Sequence, residues 1–104
     1  MKKNQIRQGD VLINAITALP QNLKCYPRIN GRLILAEGEV TGHAHAIVEE
    51  CESYIDIDGN IYLSVEEDVE IQHEEHGTLV LTPGLYIVPK QREFSDDMIQ
   101  NVLD

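Results

Sequence analysis

Apolar residues in this chain come in short runs, each halted by a turn residue, and that rhythm favours strands over long helices. The first run covers 10–16 around Val11-Leu12-Ile13, and Pro20 marks its exit. Asn30-Gly31 is a strong turn signal leading into a second, buried run over 32–36. The clearest pattern lies in 53–65. Ile55 and Ile57 alternate with Tyr54 and Asp56, Asp58-Gly59 supplies the positive backbone angles of a tight turn, and Ile61, Leu63 and Val65 resume the alternation. Leu79-Val80-Leu81, the turn Pro83-Gly84 and the run over 85–88 form a second hairpin-like pair. Only the tail changes period: Ser95 caps a short amphipathic helix over 95–103, with Met98, Ile99, Val102 and Leu103 on one face. The expected fold is mainly all-β, a small β-barrel or sandwich with a short C-terminal helix.

At 104 residues the chain has the size of one domain, 1–104, with one modest core. Its apolar runs are too short to cross a bilayer and its amino terminus lacks the apolar core of a secretory signal, so a soluble, cytoplasmic protein with no membrane partner is expected. Cys25 and Cys51 form no metal or redox motif and are expected to be reduced and partly buried. The net charge of −10 matters less than its layout. Residues 1–32 carry six bases, Lys2, Lys3, Arg7, Lys24, Arg28 and Arg32, against Asp10 alone, whereas 33–89 holds thirteen acids and no Lys or Arg. Such a segment repels itself unless a cation or the basic third of the chain answers it. An acidic protein is poorly suited to track a polyanion, so nucleic acid is disfavoured as a partner and would have to use those six bases as one face.

All four histidines fall inside the base-free stretch, in two tight pairs: Gly42-His43-Ala44-His45-Ala46 and Gln72-His73-Glu74-Glu75-His76-Gly77. Positions two apart on a strand point to one face, so His43 and His45 would present two imidazoles side by side. His73 and His76, three apart and next to Gly77, fit a helical turn or a tight bend between strands, and the flanking β runs favour the bend. Neutral imidazoles suit a divalent transition metal, zinc first, with iron, nickel or manganese as alternatives, and Glu39, Glu49, Glu74 and Glu75 are the nearest carboxylates in sequence. A lone histidine is usually a satisfied core or surface residue; two pairs in one acidic segment shift the reading toward a metal. His73-Glu74-Glu75-His76 is one residue short of the zinc-protease spacing.

The segment His43-Ala44-His45 followed four residues later by Glu49 is similar to the first metal motif of cupins, with His73 or His76 able to take the place of that family's later histidine. This resemblance implies a cupin-like sandwich; the second cupin motif is not legible around Pro83-Gly84. Over its whole length the chain resembles a family of small uncharacterised bacterial and phage proteins. The resemblance rests on Arg7-Gln8-Gly9-Asp10-Val11, on Leu35-Ala36-x-Gly38-Glu39-x-Thr41-Gly42-His43-Ala44-His45-Ala46, on His73-Glu74-Glu75-His76, and on Gln91-Arg92-Glu93-Phe94. It implies membership and carries no activity.

The expected function is that of a metal-binding β domain whose histidine pairs meet at one ion. As a metal-dependent hydrolase it would use Glu74 or Glu75 as general base and Thr41 to orient a substrate, which is a small molecule or protein of unknown identity. The alternative from another class is a non-enzymatic acidic interaction or inhibitor protein of phage type with structural histidines. A homo-oligomer is compatible with either reading.

Overall fold

The computed structural model describes residues 5–8, 11–37, 44–73 and 77–90, and within them the alternating runs form ten strands and no helix. These are β1 (Gln5–Gln8), β2 (Val11–Ile16), β3 (Lys24–Cys25), β4 (Leu33–Glu37), β5 (Ala44–Ile47), β6 (Glu52–Ile55), β7 (Ile61–Val65), β8 (Val69–His73), β9 (Gly77–Leu81) and β10 (Gly84–Val88). They pair antiparallel in two sheets, one of six strands in the order β1-β2-β10-β7-β6-β3 and one of four in the order β4-β5-β8-β9. A barrel needs its first and last strands to pair. Among the described residues β1, β3, β4 and β9 each pair on one side only, so the barrel expectation is corrected to two open sheets. The helix expected over 95–103 lies outside the described residues.

Period two decides which side chains each sheet buries. Val11 and Ile13 of β2, Ile61, Leu63 and Val65 of β7, and Tyr86 and Val88 of β10 come from the larger sheet. Leu33 and Leu35 of β4, Ile47 of β5, Val69 and Ile71 of β8, and Leu81 of β9 come from the smaller one, and together they form one apolar cluster. Each such side chain contributes about 1.5–3 kcal/mol of transfer free energy, most of it offset by the entropy of ordering the chain.

The connection from β3 to β4 ties the sheets together. The Tyr26 amide donates to the Ser53 carbonyl at 3.0 Å, beside the pairing of β3 with β6, while the Tyr26 hydroxyl donates to the Ile34 carbonyl in β4 at 2.7 Å. Arg28 donates to the carbonyls of Gly31 (3.1 Å), Ile47 (3.2 Å), Val48 (3.4 Å) and Glu49. Its guanidinium therefore satisfies backbone groups at the end of β5 and is not held ready for an external polyanion. Asn30 and Gly31 both take positive φ, 53° and 78°, and Ile29 and Arg32 exchange both backbone hydrogen bonds across them, the mirror-image turn that the Asn-Gly pair favours.

Pro83-Gly84 does not join a hairpin. β9 pairs with β8 and β10 with β2 and β7, so this turn carries the chain from one sheet to the other. The Tyr86 hydroxyl donates to the Thr82 carbonyl at 2.6 Å and holds the corner.

Candidate metal centre

The centre starts from two strands of the smaller sheet. β5 and β8 are in register through Ile47 opposite Ile71 and Ala46 opposite Gln72. One step further along the same register stand His45 and His73. Each lies two residues from a core isoleucine, Ile47 or Ile71, so both rings are on the inner face. Their centroids are 4.1 Å apart at an interplanar angle of 26°. His45 is 3% exposed, and the Nε2 atom of His73 is buried. Imidazoles 28 positions apart in the chain thus stack at one end of the sandwich core.

A register shift in β4 falls beside them. Leu33 pairs with Ile47 and Ile34 with Ala46, but Ala36, not Leu35, pairs with His45. The extra residue, Leu35, stays in the core, and bulges of this kind re-aim neighbouring side chains. Nothing in the apolar run over 32–36 announces it.

β5 begins one residue after His43, β8 ends at His73, and Gly77, with φ of 77°, pairs directly with His73. Thr41, His43, Glu74, Glu75 and His76 themselves lie outside the described residues, as does Glu39. Among the described residues no group of three or more His, Cys, Asp and Glu side chains is placed to hold a metal. Glu49 is drawn elsewhere: its Oε1 accepts the Glu70 amide at 3.2 Å.

Neither cysteine adds to the site. Cys25 is exposed, against the expectation that it is partly buried. Burial pushes the Cys51 thiol up, Arg28 opposes that and Glu49 and Glu50 reinforce it, so the group stays a protonated thiol near neutral pH. The described structure thus brings together one ring from each histidine pair, His45 and His73.

A family model described as a domain of unknown function matches residues 7–91, a span that contains all four histidines. No curated protein and no solved structure matches the chain.

Proposed function

Since the chain belongs to the family of domain of unknown function DUF8820, which brings no activity with it, we propose from its own residues that it is a metal-binding β domain. His45 and His73 are the inner pair of ligands, and His43 and His76 complete the set. The observation that carries this reading is the stacking of the two rings at 4.1 Å, one from each histidine pair of the sequence. In the rival reading, that of an acidic interaction protein, nothing requires the two pairs to meet.

Four imidazoles close a tetrahedral site; three leave a position for water or substrate. In the open form a bound ion would supply Lewis acidity at a substrate oxygen or acidify a bound water, which makes hydrolysis the reaction class. Of the chain's own residues, Glu74 or Glu75 would accept the proton and Thr41 would orient the substrate.

Elemental analysis of untagged protein after dialysis against zinc tests the proposal. The expected outcome is about one ion per chain, lost in a His45→Ala, His73→Ala double variant that still melts cooperatively. Absence of metal from the parent protein, or full retention by the variant, contradicts it.

A further inference from the structure

Among the described residues four large apolar side chains are exposed, and the strand registers bring three of them, Ile29 (60%), Val48 (51%) and Val80 (49%), into one row. Arg32 precedes the inward Leu33 of β4 and therefore points outward. Ile29 exchanges both backbone hydrogen bonds with Arg32, which puts the two side chains on the same face. Leu33 is opposite Ile47 and Ile47 opposite Ile71, so one step along the same registers Val48 stands between Arg32 and Glu70. Glu70 in turn pairs with Val80 of β9. Across the outer face of the smaller sheet the row reads Ile29, Arg32, Val48, Glu70, Val80, at about 4.8 Å per step. Its middle is held in place: Arg28 donates to the carbonyls of Ile47, Val48 and Glu49, and the Glu49 carboxylate accepts the Glu70 amide.

This row is its own complement. A half turn about an axis running along β5 above Val48 sets Ile29 against the partner's Val80, Arg32 against the partner's Glu70, and Val48 against the partner's Val48. We propose that two copies of the chain associate through this face, sheet on sheet. Charge selects a second copy as the occupant. A guanidinium and a carboxylate on either side of one apolar residue give a copy of the same row two ion pairs and oppose no like charges. A uniformly basic surface would meet Arg32 and a uniformly acidic one Glu70, whereas two sheet steps, about 9.6 Å, separate the two charges within one chain. The net charge of −10 on each copy works against association, so the pair is weak, with a dissociation constant on the order of 100 µM. His45 and His73 lie on the inner face of the same sheet, so this surface and the metal proposal are independent.

Sedimentation equilibrium of the full chain, from about 10 µM to about 1 mM, tests the proposal. The parent protein should pass from monomer to dimer over that range. Arg32→Glu makes the charges of the row all acidic and Glu70→Arg makes them all basic, so each variant alone should associate at least about tenfold more weakly. Glu70→Arg also lowers the net charge, so its weaker pairing would not come from general repulsion. Mixing the two variants in equal amounts should restore a dimer within about threefold of the parent's affinity, because each copy supplies the charge that the other lacks. A parent that stays monomeric throughout, single variants that pair as the parent does, or a mixture that pairs no better than its components overturns the proposal.

Discussion

Asp56 shows how one side chain settles a local structure. Its Oδ1 accepts the amides of Asp58 and Asn60, each at 2.9 Å, and its Oδ2 accepts Asn60 Nδ2 at 3.1 Å and the Tyr62 hydroxyl at 2.9 Å. Desolvation works against the charged carboxylate, but the hydrogen bonds from Asn60, Tyr62 and Asp58 outweigh it and hold the group below the usual carboxylate range. Tyr62 moves the other way, its phenol pushed up by desolvation and by the Asp56 carboxylate. A depressed carboxyl stabilises the fold above its unfolded value, about 3.9, and that contribution fades as pH falls through the lower folded value. Urea midpoints measured from neutral pH down through the carboxylate range should therefore fall less steeply for Asp56→Asn than for the parent. Identical slopes would show that the carboxylate does not matter to the turn. With its lone pairs engaged by the turn, Asp56 is also a poor ligand despite the neighbouring Asp58.

At the scale of elements, the same carboxylate explains where the alternation misleads. The pattern over 53–65 is legible as a hairpin, and β6 and β7 pair with Ile55 opposite Ile61. It puts Ile57 on a strand with both Asp58 and Gly59 at positive φ, yet Ile57 is 91% exposed and only Gly59, at 93°, has positive φ. Capture of the amides by Asp56 ends β6 early, a competition between side chain and ladder that hydrophobic periodicity does not encode. Gly59 is doubly constrained, since a Cβ there would come within 2.9 Å of Lys90 Cδ. Gly59→Ala should cost about 1 kcal/mol or more by chemical denaturation. Adding Lys90→Ala should recover only the steric part, and full recovery would mean that the backbone angle is not strained. The Asn30-Gly31 turn was readable because both residues supply the needed angles themselves. The role of Pro83-Gly84 was not, because period two names a strand's buried face but not the strand it pairs with, and β9 and β10 part into different sheets.

Across the whole molecule, the apolar alternation foretold the all-β fold, and the histidine spacing singled out two pairs of which His45 and His73 meet. A base-free acidic stretch with two histidine pairs marked one region of the chain, and the antiparallel register of β5 and β8 brings one ring from each pair into contact. The division into two open sheets and the bulge in β4 depend on long-range pairing that no local window contains. Thr41, Glu74 and Glu75 remain assignments from sequence and connectivity. The most direct measurement is a zinc titration of the untagged protein followed by the imidazole NMR signals. Convergence on one ion predicts that the resonances of His43, His45, His73 and His76 move together and stop at one equivalent. Resonances of His45 and His73 that stay in place through that titration would contradict it.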